Sequence, residues 1–221
     1  MDRELQHPVG LTDAAVFENA LIIAGGYLIG SIPFGVVVVR LLRGEDIRKQ
    51  GSGNIGASNV WRAYGRWLGV PVALLDVAKG FVPALIGVKL GGEWVGVLAG
   101  AAAMLGHARP IWLGFSKGGK MVATGGGVVL ALAPLAAGIC LVLWIATFVL
   151  FRYASLASLV AAVALPISCL LLGEPWATVI FATAASLAVI ALHRQNISRL
   201  LHGTESRFTR GKSSSASGSP G

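Results

Sequence analysis

Residues 121–151 read MVATGGGVVLALAPLAAGICLVLWIATFVLF, and the way this apolar run divides decides the fold. A helix needs about 20 apolar residues to cross a bilayer, and about 17 are tolerated. The run is therefore too long for one membrane span and short for two. Pro134 lies within it, and a proline inside a helix removes a hydrogen bond and clashes with the preceding turn. The run predicts two short spans if it divides at Pro134, and one span if it does not.

The rest of the chain adds further apolar runs of spanning length. They lie near residues 19–42, 66–88, 94–113, 154–172 and 176–192. Hydrophobic residues make up 55% of the 221-residue chain and charged residues only 13%, whereas a soluble domain is about 25% charged. The 30 glycines favour close helix packing in lipid. Composition therefore indicates an all-α integral membrane protein with six or seven transmembrane helices.

The distribution of positive charges favours seven transmembrane helices over six. With seven spans and the N-terminus outside, all but Arg3, Lys79 and Lys89 of the 18 lysines and arginines lie in cytoplasmic segments. Six spans would place the cations of the C-terminal tail opposite the earlier basic loops, against the positive-inside tendency. The sequence therefore predicts seven transmembrane helices, an external N-terminus, a cytoplasmic C-terminus and three polar segments on the cytoplasmic side.

The domain organisation follows from the same pattern. Residues 1–18 form a polar N-terminal segment, residues 19–205 the seven-helix membrane domain, and residues 206–221 a flexible tail rich in serine and glycine. The N-terminal segment is mainly acidic, unlike a secretory signal, so we expect the first apolar run to remain in the mature protein.

No metal or cofactor is expected. The two cysteines, Cys140 and Cys169, both lie inside apolar runs, which is typical of small packed or lipid-facing residues rather than of a disulfide or zinc site. Histidine, cysteine and carboxylate residues do not cluster at spacings typical of metal ligands.

The first polar segment contains GSGNIGASN at residues 51–59, followed by Arg62. Glycines at 51, 53 and 56 allow positive φ angles and a close approach of backbone to a ligand. Backbone N–H groups beside clustered cations suit a phosphate or a carboxylate. A plain turn between two spans is the alternative interpretation.

The second polar segment reads GFSKGGK at residues 114–120 and satisfies the spacing G-x-x-x-x-G-K of a nucleotide-binding P-loop. Met121 stands where a P-loop needs a hydroxyl for magnesium, and a membrane span precedes the segment instead of a strand. We therefore reject the ATPase interpretation. Paired glycines and Lys120 at the start of a helix still favour an anion, and a positive-inside membrane anchor is the alternative.

The third polar segment reads HRQNISRLLHGTE at residues 193–205. If it is helical, His193, Asn196 and Arg199 share one face. Histidine can donate to a phosphate or accept a proton near neutral pH. The alternative is an amphipathic helix that touches anionic lipid.

Two ionisable residues, Asp76 and Lys79, lie within the second span at a spacing that allows them to pair. Such residues are costly in a membrane and usually face the protein interior or a water-filled cavity. Two interpretations are equally consistent with the sequence: the residues place a charge near the substrate site, or they form a buried structural ion pair. His107 lies close to Pro110 and is interpreted as a helix-end residue rather than a ligand.

Together these motifs resemble one family, the bacterial acyl-phosphate:glycerol-3-phosphate acyltransferases of the PlsY type. The resemblance runs from about Tyr27 to Glu205. It rests on the three polar segments and on the motifs GSIPFG at 30–35, DVAKG at 76–80 and VAT at 122–124. The chain differs from the family pattern by one extra residue before the Gly118–Gly119 pair and by Met121 in place of a small residue.

The resemblance implies a seven-helix enzyme of the bacterial inner membrane, with its active site facing the cytoplasm. Such an enzyme moves a fatty acyl group from acyl phosphate to the sn-1 hydroxyl of glycerol 3-phosphate, giving lysophosphatidic acid and phosphate for phospholipid synthesis. We expect a monomer in the lipid bilayer that uses no cofactor and binds no nucleic acid. None of its histidines begins the H-x-x-x-x-D motif of the acyl-CoA-dependent glycerolipid acyltransferases.

The resemblance also implies site residues. The expected catalytic residues are Ser52, Arg62, His193 and Asn196. The expected substrate-binding residues are Gly51, Gly53, Asn54, Asn59, Lys79, Gly118, Gly119, Lys120 and Thr124.

Both substrates carry phosphate, so clustered arginine and lysine suit their binding and the charge that develops on the leaving group. Acyl phosphate is already activated, and holding two anions together can contribute on the order of 7–11 kcal/mol. The hypothesis for the proton is that a substrate phosphate accepts it, with Ser52 and His193 orienting the groups; His193 as general base is the rival. Ser52 as a covalent nucleophile is less favoured.

A transporter or channel for a small organic phosphate is the alternative function. Transporters often carry ionisable residues at mid-depth and two related halves. This chain has only Asp76 and Lys79 within its spans and no evident repeat, and its polar groups gather on one face.

Overall fold

The computed structural model describes residues 12–208, and within that range the regular elements are helices. Two short 3-10 turns lie at Ile47–Lys49 and Ile111–Leu113. The α-helices are α1 (Asp13–Gly30), α2 (Phe34–Arg43), α3 (Ala57–Tyr64), α4 (Arg66–Gly91), α5 (Glu93–Ala108), α6 (Val122–Leu132), α7 (Pro134–Phe151), α8 (Ala154–Leu171), α9 (Trp176–Leu192) and α10 (Arg194–Leu201). The predictions for residues 1–11 and 209–221 lie outside the described residues.

The first helix begins earlier than the apolar run that predicted it. The Thr12 hydroxyl accepts a hydrogen bond from Ala15 N, 3.3 Å away, and Asp13 follows in the first turn. A hydroxyl cap and a carboxylate both stabilise a helix N-terminus, so the helix extends into the polar N-terminal segment. The same apolar run breaks at residues 31–33, and Pro33 caps the N-terminus of α2.

The division of residues 121–151 at Pro134 is confirmed. Ala133 leaves the helical region with a φ of −143°, and Pro134 is the first residue of α7. Proline is favoured at that position because its missing N–H would have no partner there. The result is an 11-residue α6 followed by an 18-residue α7.

Four helical stretches in the described range are long and apolar enough to cross a membrane: Asp13–Arg43, Arg66–Gly91, Pro134–Phe151 and Ala154–Leu171. A fifth is added if α9 and α10, which meet at a 59° bend, form one span. Helix α5 has 16 residues because it ends at Ala108, just before Pro110, and α6 is also short. Four to five full-length spans are therefore counted by length and composition.

Glycines bring the helices into backbone contact. A Cβ built on Gly30 of α1 would lie 2.1 Å from the carbonyl oxygen of Ala103 on α5, and one on Gly127 of α6 would lie 2.0 Å from that of Val77 on α4. Side chains at these positions would therefore collide with backbone. The high glycine content is thus used for close helix packing, as the composition predicted.

The first polar segment is held on the bundle by a small apolar cluster. Ile47 and Ile55 from the segment itself pack with Val39, Val60 and Val72, and each of these side chains is at most 2% exposed. Helix α3, which the sequence pattern did not predict, contributes Val60 and packs along α4. Ile47 and Ile55 thus anchor the first polar segment on the bundle, so the polar residues near them have defined positions.

Candidate functional site

The backbone of the first polar segment turns sharply at two glycines. Gly51 and Gly53 have φ angles of 54° and 69°, in the left-handed region that only glycine adopts at little cost. Gly56, the third glycine of this segment, does not use that freedom. Its φ is −78°, and it caps the N-terminus of α3 in an extended conformation.

Asn59 organises this turn from inside. Its Oδ1 accepts a hydrogen bond from Ser52 N at 3.0 Å, and its Nδ2 donates to the carbonyl oxygens of Gln50 and Asn54 at 3.0 and 2.8 Å. The side chain is 3% exposed. Asn59 therefore holds the turn, and Ser52 is exposed at its tip with a hydroxyl that makes no hydrogen bond within residues 12–208.

The glycine pair of the second segment lies flat against the end of α5. Gly118 N donates to Ala108 O at 2.9 Å and Gly119 N to His107 O at 3.0 Å. A Cβ on Gly119 would lie 1.9 Å from Nε2 of His107. Both amides are thus engaged with backbone, so the pair serves close packing and leaves Lys120 and the N-terminus of α6 as the groups that can hold an anion.

The third segment is helical from Arg194 to Leu201, and Asn196 links it to the second. Lys120 Nζ donates to Asn196 Oδ1 at 2.5 Å, and Asn196 Nδ2 donates to Glu205 Oε1 at 2.7 Å. Glu205 also accepts hydrogen bonds from Ser155 Oγ and Arg199 Nε, each at 2.6 Å. Asn196 and Glu205 are buried, so this network fixes the position of the lysine ammonium.

His193 follows the last residue of α9. Its Nδ1 lies 2.8 Å from the carbonyl oxygen of Val189, and the side chain is buried. A carbonyl can only accept, so Nδ1 carries a hydrogen in this contact. In the neutral ring Nε2 then has a free lone pair, which can accept a hydrogen bond from a hydroxyl.

The side chain of Arg62, on α3, reaches Ser206 and Phe208, among the last residues that the structure describes. Its Nη2 donates to Ser206 O at 3.2 Å, and its guanidinium carbon lies 4.6 Å from the centre of the Phe208 ring. A guanidinium has five N–H donors, and within residues 12–208 only one nitrogen of the Arg62 guanidinium has a hydrogen-bond partner.

The three polar segments are joined pairwise by hydrogen bonds. Asn54 Nδ2 donates to Gly118 O at 3.2 Å and joins the first segment to the second. The Lys120–Asn196 bond joins the second to the third, and Arg62 joins the first to residues just after the third. Segments far apart in the sequence therefore form one polar cluster at one end of the bundle.

Burial and neighbouring charges act on the groups of this cluster. Burial, with smaller contributions from Arg199 and Arg62, lowers the pKa of Lys120 to about 8, although attraction to Glu205 opposes the change. Burial alone would raise the pKa of Glu205, but hydrogen bonds from Ser155, Asn196 and Arg199 outweigh it and hold the pKa below its ordinary value. The carboxylate is therefore ionised at neutral pH.

Two expected substrate-binding residues, Lys79 and Thr124, are buried in the helix bundle. Lys79 pairs with Asp76 at 2.8 Å and donates to Ile32 O at 2.8 Å, and both charged side chains are nearly inaccessible to solvent. The two residues therefore form a buried ion pair. Thr124 is fully buried where α6 meets α4 at Gly80. His107 is confirmed in the last turn of α5 and lies 3.8 Å from Asp76.

Sequence reasoning missed three members of the cluster. Ser155 lies in an apolar helix, and Ser206 and Phe208 lie in what was read as the tail. No local pattern marks any of them, because each acts through a residue distant in the sequence. Glu205 was noted only through the family resemblance.

Comparison with known proteins gives one consistent result. Residues 20–203 match the family described as glycerol-3-phosphate acyltransferase. A glycerol-3-phosphate acyltransferase from Desulforudis audaxviator is 44% identical over 189 residues, which cover 86% of this chain and 95% of that protein. One from Mesorhizobium japonicum is 49% identical over 183 residues, covering 83% and 92%.

The solved structures that resemble this chain belong to the same kind of enzyme. The crystal structure of PlsY (YgiH), an integral membrane glycerol 3-phosphate acyltransferase, in its glycerol 3-phosphate form superposes with a TM-score of 0.83. It is 44% identical and the match covers 87% of this chain and 96% of that one. The lysophosphatidic acid form gives a TM-score of 0.81 at 42% identity.

Proposed function

The chain belongs to the glycerol-3-phosphate acyltransferase family and is a membrane acyltransferase, and we propose that its acyl donor is acyl phosphate. The acyl group goes to the sn-1 hydroxyl of glycerol 3-phosphate, and the products are lysophosphatidic acid and phosphate. The solved relative in its glycerol 3-phosphate form supports the acceptor, and the resemblance to the acyl-phosphate-dependent type supports the donor.

The observation that carries this proposal is the charge of the polar cluster. Three cations, Arg62, Lys120 and Arg199, are close enough to influence one another and share a single carboxylate, Glu205. Within residues 12–208 the cluster therefore has an excess of positive charge, and the first polar segment, which is joined to it, carries the exposed Ser52. Two phosphate-bearing substrates, one of them attached to a fatty chain, match that environment.

Each side chain has a distinct role in the proposal. Lys120 and the N-terminus of α6 bind the phosphate of glycerol 3-phosphate, and Arg62 binds the phosphate of the donor. Ser52 and His193 hydrogen-bond the acceptor hydroxyl and the reacting centre. Asn196 orients Lys120. The remaining expected site residues shape or support the site: Gly51, Gly53, Asn54, Asn59, Lys79, Gly118, Gly119 and Thr124.

The chemistry requires orientation more than a strong acid. The acceptor hydroxyl oxygen bonds to the acyl carbon, the bond from that carbon to the phosphate oxygen breaks, and inorganic phosphate leaves. The hydroxyl proton passes to a substrate phosphate, while His193 accepts a hydrogen bond at Nε2. The rival is His193 itself as the general base.

A His193→Gln variant separates the two routes, because glutamine can hydrogen-bond but cannot take up a proton. If a phosphate is the acceptor, the variant keeps the wild-type shape of the pH–rate profile at a reduced rate. If the folded variant instead loses the part of the pH–rate profile that reports titration of a histidine, His193 is the group that accepts the proton.

The proposed membrane arrangement has seven spans, with α5, α6 and α9 each crossing as a short helix. The N-terminus is outside, the polar cluster faces the cytoplasm of the bacterial inner membrane, and the chain acts as a monomer. Cysteines introduced at Ser116 and at Glu174, in a background with Cys140 and Cys169 replaced by serine, test this arrangement. A membrane-impermeant thiol reagent should label Ser116→Cys only from the cytoplasmic side and Glu174→Cys only from the other; labelling of both from one side would refute it.

The donor is tested directly with purified protein in detergent or liposomes. Acyl phosphate, acyl-CoA and acyl-carrier protein are each offered with glycerol 3-phosphate, and lysophosphatidic acid is quantified. Product from acyl phosphate and not from the two thioesters is the expected result. Arg62→Ala should abolish it. Folded protein that gives no product from acyl phosphate would overturn the proposed donor.

A further inference from the structure

Phe208 is the member of an aromatic cluster whose ring contacts Arg62. The Phe208 ring lies edge-on to Trp61, with centroids 5.6 Å apart, and edge-on to Phe148 at 5.1 Å. Phe148 in turn stacks on Trp144 of the same helix, α7, at 5.1 Å. The ring is therefore held by side chains from two different helices.

The backbone around Phe208 is fixed as well. Phe208 N donates to Arg152 O at 2.9 Å, just after the end of α7, and Ser206 O accepts from the Arg62 guanidinium. These residues come after Gly203, where the family match ends. The contact with Arg62 is thus made by a segment of this chain that the family description does not include.

We propose that Phe208 is a positioning residue for Arg62: its ring face and the Ser206 carbonyl hold the guanidinium in the orientation that binds the phosphate of the acyl donor. This inference rests on the proposed function of Arg62. A cation over an aromatic face is attracted by the ring quadrupole, and more strongly when water is excluded. Arginine side chains otherwise rotate freely, so fixing one before the substrate arrives removes an entropic cost of binding.

The geometry explains why one ring can act on one charge without blocking it. The ring and the carbonyl occupy one face and one N–H of the guanidinium. The planar fork keeps further donors in fixed directions, and such donors match a phosphate bidentately. Phe208 therefore orients Arg62 without taking the place of the ligand.

The experiment compares Phe208→Leu, Phe208→Met and Phe208→Tyr with wild type. Leucine and methionine keep apolar bulk but remove the ring, whereas tyrosine keeps the ring. We expect the leucine and methionine variants to lose roughly 3- to 30-fold in kcat/KM for acyl phosphate, as one cation–π contact at a partly desolvated site implies. The KM for glycerol 3-phosphate should change less than about 2-fold, and tyrosine should restore wild-type values. Phe17→Leu, at an exposed ring on α1, is the matched control.

A double-mutant cycle distinguishes positioning from general packing. In an Arg62→Lys background Phe208→Leu should have little further effect on kcat/KM, because the oriented guanidinium is already gone. Effects that multiply independently would overturn the proposal, and so would a tyrosine variant as impaired as leucine. Thermal unfolding of each variant shows that it is folded, and methionine serves if leucine unfolds the protein. Wild-type turnover in the same assay keeps failure of this inference separate from failure of the proposed donor.

Discussion

Lys120 and Asn196 are 76 residues apart in the sequence, yet the lysine ammonium donates a 2.5 Å hydrogen bond to the amide oxygen of Asn196. The other end of that amide donates to Glu205, so the carboxylate influences the ammonium through a neutral side chain rather than by direct pairing. The lysine is held in place while its charge remains available to an anion. A direct ion pair with Glu205 would neutralise part of that charge.

Replacement of Asn196 with aspartate tests this arrangement. Aspartate has the same shape but places a negative charge against Lys120 and repels Glu205, so it competes with a substrate phosphate. We expect the KM for glycerol 3-phosphate to rise by roughly 10-fold or more, since hydrogen bonds to charged groups contribute about 1.5–3 kcal/mol. Gln195→Glu adds the same charge on an exposed neighbouring position and should change the KM far less. Equal effects of the two substitutions would contradict a specific Asn196–Lys120 contact.

The pKa of Lys120 predicts a pH dependence of substrate binding. Burial lowers this pKa to about 8, so in the free protein the ammonium is present below pH 8 and is lost as pH rises above it. The KM for glycerol 3-phosphate should therefore increase above about pH 8, by up to 10-fold per pH unit. Lys120→Arg stays charged throughout this range, and its KM should remain nearly flat to pH 9.5. A wild-type KM that is equally flat would show that Lys120 does not bind the phosphate in its charged form.

Glu205 predicts a stability effect that depends on pH in the opposite direction. Its pKa is lower in the folded protein than in the unfolded chain, so it stabilises the fold above about pH 4.3, and this contribution is lost as pH falls through the folded-state pKa. Glu205→Gln should reduce the free energy of unfolding by about 1–3 kcal/mol at pH 7, because Arg199 and Ser155 lose a charged partner. Thermal unfolding in detergent measures this effect. The difference in stability between Glu205→Gln and wild type should be smaller at pH 4 than at pH 7. Glu18→Gln, at an exposed site, should be neutral at both pH values.

The sequence predicted those parts of the fold that depend on local chemistry. Apolar length predicted the helices, and residues 121–151 divide at Pro134, which takes the first position of a helix, where proline is favoured. The pairing of Asp76 with Lys79 followed from their spacing on one helix face. Helix ends were less predictable, since α1 began at a cap outside the apolar run.

The candidate site was only partly predictable, because its contacts join distant segments. The three polar segments were recognised, but their spacing gave no reason for Gly119 to pack on His107 or for Ser155 to donate to Glu205. Asn59 looked like a ligand-binding side chain in the sequence, and the structure places it inside the turn as a support. A polar residue type indicates that a hydrogen bond exists, whereas its partner depends on the packing of the whole bundle.

Two adjacent glycines on α6 provide a matched test of the packing that supports the site. A Cβ at Gly127 would lie 2.0 Å from the carbonyl oxygen of Val77 on α4. A Cβ at Gly126 would have no atom within 4 Å apart from its chain neighbours and the backbone of its own helix. Gly127→Ala should therefore force α4 and α6 apart, lower the free energy of unfolding by about 1–3 kcal/mol or more, and reduce activity by shifting Lys120. Gly126→Ala should be neutral or stabilising by about 0.4–1 kcal/mol, because alanine restricts the unfolded chain and fits the helix. Thermal unfolding and turnover of the two variants, measured side by side, decide the point, since a general intolerance of α6 to alanine would impair both equally.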